Sequence, residues 1–143
     1  MAKDYQRSKV YAWENAAVGP RCPGVVAFEQ AQQYVNGVWL ANGWQRPPKV
    51  IPLAKRSKHL GLACGCGEIY LPCQVPAWVI LHELAHSLTD DLHGPDFVGM
   101  YIDLLERVEK LSRLETMFSL KAAGVDFNLG VKPLAWVVDK RQP

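Results

Sequence analysis

The stretch of sequence that decides the fold is VPAWVILHELAHSLTDDLHGPDF, residues 75–97. Within it His82, Glu83 and His86 form the pattern H-E-x-x-H. Pro76 stands where a helix can begin, and no Gly or Pro follows before residue 94, so the segment predicts a helix. In a helix His82 and His86 project within roughly 40° of each other, one turn apart, with Glu83 beside them. Apolar residues fill the rest of the wheel and predict a buried helix: Ala77, Ile80, Leu81, Leu84 and Leu88.

Two buried histidines and a glutamate would be costly without a cation, so the pattern indicates a metal site. A catalytic zinc needs a third protein ligand and one open position for water. His93 is the first candidate, because six residues separate it from His86 and Gly94 permits a sharp turn before Pro95 begins the next helix. Glu106 is the rival, but its wheel position opposite the apolar stripe predicts that it faces solvent. The remaining candidates for the third ligand are Asp90, Asp91 and Asp96.

The sequence HELAH at residues 82–86, followed by HGPDF at residues 93–97, resembles the small zincin-like metallohydrolases of bacteria and phages. It is similar to SprT-like proteases, whose third histidine stands in an H-G-x-x-W or H-G-x-x-F context. The lead-in GEIYLP, residues 67–72, also resembles the strand before the metal helix in small zincins. The resemblance implies an α+β, zincin-like fold: a small mixed sheet packed on an N-terminal helix and the central H-E-x-x-H helix, then one or two further helices.

The chemistry implied is metal-assisted hydrolysis with one Zn²⁺ per chain, held by His82, His86 and His93. Zinc would lower the pKa of its bound water toward about 7, and Glu83 would accept the proton and pass it to the leaving amine of a peptide or protein substrate. An oxyanion donor is usual in such sites, and the candidates are Tyr101, Tyr70 and His59. Asp90, Asp91 and Asp96 are candidates for a carboxylate that holds a histidine N–H, or for helix-end residues.

Two other functions stay open. The first is a zinc-binding regulatory or interaction module that keeps the fold without catalysis, and the second is hydrolysis of a non-peptide amide. Glu83 favours an enzyme over the module, because a structural zinc site needs a fourth ligand and has no use for a base.

Composition limits the class of protein. The 143 residues, 49% hydrophobic and 21% charged, are enough to bury one core, so we expect residues 1–143 to form a single domain. A net charge of +2 is too small to indicate a nucleic-acid partner. The polar N-terminus and the lack of a long apolar run predict a cytoplasmic protein with no membrane segment, and no pattern selects an oligomeric state.

The four cysteines are expected to be reduced in such a compartment. Cys64, Cys66 and Cys73, with His59 or Cys22, are conceivable ligands for a second, structural zinc. Their spacing lacks the paired C-x-x-C pattern of common zinc sites, so we predict one zinc per chain and no disulfide.

The remaining segments are predicted from periodicity and turn residues and, at residues 9–13, from aromatic and β-branched content. Strands are expected at residues 9–13, 49–54 and 62–71, the last two joined by a solvated basic connection at residues 55–59. Helices are expected at residues 25–42, ended by Gly43, from Gly94-Pro95 onward, and at residues 112–123, capped by Gly124. Residues 131–138 are expected to form an edge strand or a strap across the core.

Overall fold

The computed structural model describes residues 4–53, 62–64 and 67–134. This part of the chain contains helices and two small sheets, so the predicted α+β class is confirmed. The helices are α1 (Arg7–Trp13), α2 (Phe28–Ala41), α3 (Ala77–Leu88), α4 (Pro95–Glu109) and α5 (Arg113–Ala122). The strands are β1 (Val25–Ala27), β2 (Lys49–Pro52), β3 (Leu62–Cys64), β4 (Glu68–Leu71) and β5 (Gln74–Pro76). None of these helices combines the length and apolar character needed to cross a bilayer.

The larger sheet is mixed, in agreement with the prediction, and has the order β2-β4-β3. Strand β2 runs parallel to β4 with Val50 opposite Ile69, and β3 runs antiparallel to β4 with Ala63 opposite the same residue. The single strand predicted at residues 62–71 is therefore wrong. Gly67 adopts a φ of +87°, a left-handed conformation that favours glycine, and β4 begins directly after it.

A second, two-stranded sheet was not predicted. Strand β1 pairs with β5 in antiparallel register, with Val26 opposite Val75. Residues 25–27 are predicted to belong to a helix that begins at residue 25. They pair as a strand instead, and the helix begins at Phe28. The inner face of that helix is apolar, with Ala31, Val35, Val38 and Trp39 buried. Gly43 has a φ of +75°, which fits its predicted place just beyond the helix.

The strand predicted at residues 9–13 is wrong, because this segment lies in helix α1. Val10 and Trp13, three residues apart, are buried, whereas Tyr11 is exposed, which is the spacing of a helix and not of a strand. The chain continues through a π-helical turn, Glu14–Val18, and a 3₁₀ turn, Gly19–Arg21. We refer to residues 4–21 as the N-terminal segment.

Helix α3 is buried along almost its whole length, as its sequence predicts. Strand β5 leads into it without a loop, and Pro76 occupies the position just before its first turn. It packs against α4, whose inner face includes the buried side chains of Phe97, Tyr101, Leu104 and Leu105. Helix α3 is therefore fixed in the core by neighbours on several sides.

The chain after α5 crosses α3 and α4 as an irregular strap. The backbone N–H of Asn128 donates to the carbonyl of Pro95, and that of Leu134 donates to the carbonyl of Leu88. Gly99 of α4 allows this close approach, since a Cβ there would lie 1.8 Å from the carbonyl oxygen of Asn128. Within residues 131–134 the strap alternative is thus the correct one. Predictions that concern residues 55–59 and 135–138, and the Cys66 thiol, lie outside the described residues.

Candidate metal centre

Three histidine side chains meet at one point of the core. Nε2 of His86 lies 3.2 Å from Nε2 of His82 and 3.2 Å from Nε2 of His93. In the described part of the chain, this is the group of side chains that could hold a metal ion, with ligand atoms all within 4.8 Å of one another. His82 and His93 are each only 6% exposed.

The separation of Nε2 of His86 from each of the other two Nε2 atoms suits a tetrahedral ion. Two ligands at the usual zinc–nitrogen distance of about 2.0–2.1 Å would lie about 3.4 Å apart, close to the separations found here. Hydrogen bonds among the three rings would satisfy these nitrogen atoms less completely than a bound cation. The Nδ1 atoms of His82 and His93 point to carboxylates, so in neutral rings their Nε2 atoms carry lone pairs. A single proton on Nε2 of His86 cannot satisfy both, whereas a cation can accept all three lone pairs.

Local structure brings the three ligands together. His82 and His86 are one turn apart on α3, and α3 ends at Leu88 so that the chain can turn back. The turn is stabilised by Asp91, whose two carboxylate oxygens accept the N–H groups of Asp96 (2.8 Å) and Phe97 (2.9 Å) at the start of α4. His93 lies within this turn and is thereby directed toward α3.

The left-handed residue of the turn is Leu92, with a φ of +59°, and not Gly94 as expected. Gly94 has a φ of −76° and is needed for a different reason. A Cβ at Gly94 would lie 2.5 Å from Oδ2 of Asp91 and 2.9 Å from its carbonyl oxygen. The glycine of the H-G-P-D-F sequence therefore makes room for the Asp91 cap.

Glu14, in the π-helical turn, contacts His82 at Nδ1, the ring nitrogen opposite Nε2. Its Oε2 lies 2.6 Å from Nδ1 of His82 and accepts the hydroxyl proton of Tyr101 at 2.7 Å. Glu14 and Tyr101 are both buried, and the Tyr101 hydroxyl is also 3.2 Å from the carbonyl of Trp78. Tyr101 was a candidate oxyanion donor, but its hydroxyl is committed to Glu14 on the side of His82 that faces away from Nε2.

Asp4 supports His93 in the same way. Its Oδ2 lies 2.8 Å from Nδ1 of His93, and its Oδ1 accepts the backbone N–H of the same residue at 3.1 Å. Two carboxylates from the N-terminal segment thus hold two of the three rings with Nε2 pointing at the common centre.

The carboxylates predicted to hold the histidines are not the ones found. Asp91 caps α4, Asp96 accepts from the side-chain amide of Asn128, and Asp90 is exposed. The prediction was wrong because it searched only near the motif in sequence. Asp4 and Glu14 are distant from it along the chain, and the one local signal for Glu14 is an acidic residue among the apolar side chains of YAWENAAV.

Burial and charge set the protonation of the three rings. Burial, with the positive charge that His82 and His93 can carry, lowers the pKa of His86 to about 2, so this ring stays neutral. Burial also lowers the pKa of His93, although the hydrogen bond that its Nδ1 makes to the Asp4 carboxylate acts to raise it. For His82 burial again acts to lower the pKa, but the hydrogen bond and charge of Glu14 prevail and raise it.

Aromatic rings enclose the centre. Phe97 contacts all three histidines, with its ring centroid 4.3 Å from that of His86, 4.9 Å from His82 and 5.1 Å from His93. Tyr11 of α1 is stacked near His82 at 6.1 Å and meets His93 edge-on at 5.0 Å. The final aromatic residue of H-G-P-D-F therefore forms the apolar floor of the site.

Glu83 is 6% exposed, and its negative charge contributes to the raised pKa of His82. Glu106, the rival third ligand, lies elsewhere, because its carboxylate binds Arg113 at 3.0 Å. The hydroxyl of Tyr70, another candidate oxyanion donor, donates to Glu68 at 3.0 Å. His59, the last such candidate, lies outside the described residues.

Cys66 and the side chain of Cys64, two of the conceivable ligands for a second zinc, lie outside the described residues. Of the other two cysteines, Cys22 is a buried free thiol and Cys73 an exposed one. Burial, with the nearby charge of Glu109, raises the pKa of Cys22 to about 11, which disfavours the thiolate that zinc binds. A single zinc per chain stays a prediction.

Comparison of the chain with protein-family models, with curated proteins and with solved structures finds no match. The function has to be argued from the chemistry of the site.

Proposed function

We propose that this protein is a zinc-dependent hydrolase with a zincin-like fold, and that its substrate is a peptide bond. The observation that carries the proposal is the convergence of Nε2 of His82, His86 and His93, with Glu83 buried on the same helix. Three histidine ligands are the set found in zinc sites that keep one position open for chemistry, whereas structural zinc sites have four protein ligands.

The residues of the site would have separate roles in metal binding and in proton transfer. His82, His86 and His93 would hold the ion, with Glu14 and Asp4 fixing the first and the last of these rings. When bound, zinc supplies Lewis acidity, which polarises a carbonyl group and makes a water molecule more acidic. The Glu83 carboxylate would take the proton of the attacking water and deliver it to the leaving nitrogen.

The choice of a peptide over another amide rests on the resemblance of HELAH and HGPDF to zincin-like hydrolases and SprT-like proteases. The buried, aromatic surroundings of the histidines support the same chemistry, because a dry site strengthens the electrostatic effect of a cation on a carbonyl group. The alternative is a non-catalytic module that binds the same metal. The two functions differ in their need for Glu83, because only a hydrolase requires a base at this position.

The test compares Glu83→Gln with the wild type. Zinc content is measured by mass spectrometry, stability by thermal melting, and turnover on a peptide library. Because Gln is isosteric but is not a base, we expect bound zinc to persist and turnover to fall by about 10² to 10⁴. Glu106→Gln is the matched control, since it makes the same change outside the site and should leave turnover near the wild-type value.

Failure of the wild type to cleave any peptide, with zinc bound, would favour the binding module. Equal turnover in the Glu83→Gln protein would exclude Glu83 as the base.

A further inference from the structure

Tyr11 is the most exposed of the described side chains whose rings or carboxylates contact the three histidines. Among the described side chains that contact the histidines, Phe97, Tyr101 and Glu14 are buried and Asp4 is partly covered, whereas Tyr11 is 39% exposed. Its ring meets that of His93 edge-on, with 5.0 Å between centroids. A substrate that approaches the three Nε2 atoms from this side would pass along Tyr11.

Arg7 lies one helical turn before Tyr11 and on the same face of α1. Its guanidinium carbon is 5.6 Å from the centroid of the Tyr11 ring, a distance typical of a cation–π contact. In the described part of the chain no carboxylate pairs with Arg7, in contrast to Arg21 and Arg113, which form ion pairs with glutamate or aspartate side chains. An exposed positive charge, with no carboxylate partner among the described residues, therefore lies beside Tyr11.

Lys9, the other basic residue of α1, lies two residues further on and so projects from a different face. Its ammonium nitrogen is 3.8 Å from the position that a Cβ on Gly124 would occupy, close to the end of α5. The two cations share a helix, but only Arg7 contacts a residue of the metal centre.

We propose that Arg7 binds a carboxylate of the peptide substrate and so makes this protein selective for acidic peptides, an inference that rests on the proposed function. Arginine suits this role because its planar guanidinium can donate two parallel hydrogen bonds to a carboxylate. The distances from Arg7 to Tyr11 and from Tyr11 to His93 limit the separation of the guanidinium carbon from the His93 ring to about 11 Å. An extended chain covers about 3.3–3.6 Å per residue, so a separation of this size is spanned by about three residues of a substrate.

The experiment measures peptide binding and not only turnover. The zinc-loaded Glu83→Gln protein is titrated with fluorescent peptides in pairs that differ by one group, either Glu against Gln at one position or a free C-terminal carboxylate against its amide. Binding is measured by anisotropy with and without a second change, Arg7→Gln. Lys9→Gln is the matched control, because it removes the same charge from the same helix.

We expect Arg7→Gln to weaken binding of the carboxylate-bearing peptides by roughly 3- to 10-fold, the range for an accessible charge-assisted contact. The matched amide peptides should be unaffected, and the loss should shrink in 1 M salt. The pair that shows the effect tells whether the carboxylate is a side chain or the C-terminus.

Equal losses for Arg7→Gln and Lys9→Gln, equal binding of the two members of every pair, or no binding of any peptide would each overturn the proposal. Hydrolysis by the wild-type protein decides the proposed function separately. If the protein cuts neutral and acidic peptides equally well, with and without Arg7, the proposed hydrolase function stands and the proposed role of Arg7 is wrong.

Discussion

Oε2 of Glu14 lies 2.6 Å from Nδ1 of His82, so a residue in the N-terminal segment contacts the central helix at a candidate metal ligand. Both side chains are buried. A carboxylate at Nδ1 fixes the orientation of the ring and makes the opposite nitrogen a better donor to a metal. The segment from Asp4 to Glu14 is therefore part of the candidate metal centre, although it is far from the H-E-x-x-H pattern in sequence.

The first prediction concerns this contact. Glu14→Gln should reduce zinc affinity by about 10- to 100-fold, because the amide keeps the shape of the side chain but loses its charge. Affinity is measured by competition with a chromophoric chelator. Tyr101→Phe is the control, since it removes the other hydrogen bond to Oε2 of Glu14 and leaves the contact between Glu14 and His82 in place. It should lower the free energy of unfolding by about 1–2 kcal/mol and leave zinc affinity nearly unchanged. Wild-type affinity in Glu14→Gln would show that the contact has no effect on the metal.

The second prediction concerns Asp4, which accepts from both Nδ1 and the backbone N–H of His93. Asp4→Asn should weaken zinc binding by about 10-fold, less than a buried carboxylate would, because Asp4 is partly exposed. Asp96→Asn is the matched control, since Asp96 lies close to the motif in sequence but accepts from Asn128. If both variants bind zinc equally well, the Asp4 contact does not support the ligand.

The third prediction identifies the ligands. His93→Ala should reduce bound zinc from one equivalent per chain to a small fraction, because two histidines alone do not make a stable protein site. Glu106→Ala should leave it at one equivalent, since Glu106 is paired with Arg113. Metal content of the purified proteins is measured by mass spectrometry. Full occupancy after loss of His93, or two equivalents in the wild type, would contradict a single three-histidine site.

Local sequence predicted the parts of the structure that are governed by local periodicity. Helix α3, its buried faces and the approach of His93 could be predicted because a turn of helix and a short return loop fix them within residues 75–97. The carboxylates could not, since Asp4 and Glu14 reach their histidines through tertiary packing over 89 and 68 residues of chain.

The error at residues 9–13 has a similar origin. Tyr11 and Trp13 suggested a strand by their aromatic character, but Trp13 is buried together with Val10 at helical spacing and its indole N–H donates to Ser119 of α5 at 2.9 Å. A distant partner therefore decides which face of the segment turns inward. Strand β1 was missed for the same reason, because its partner β5 lies far along the sequence.

The last prediction concerns the turn that presents His93. Leu92 has a φ of +59°, a region that costs a side chain with a Cβ roughly 1–2 kcal/mol, and its side chain is exposed, so little packing compensates for this strain. Leu92→Asn should raise the free energy of unfolding of the metal-free protein by about 0.5–1 kcal/mol, because asparagine adopts this conformation more readily. Leu92→Val should lower it by about 1–2 kcal/mol, since a β-branched side chain is disfavoured there more strongly.

Urea denaturation in the presence of a chelator measures these differences without a contribution from metal binding. Zinc affinity, measured on the same variants, should follow the same order, because the metal binds only when the turn holds His93 toward His86. A Leu92→Val protein as stable as the Leu92→Asn protein would mean that the turn is not held in the left-handed conformation in solution. In that case the approach of His93 to the other two ligands would depend on the metal itself.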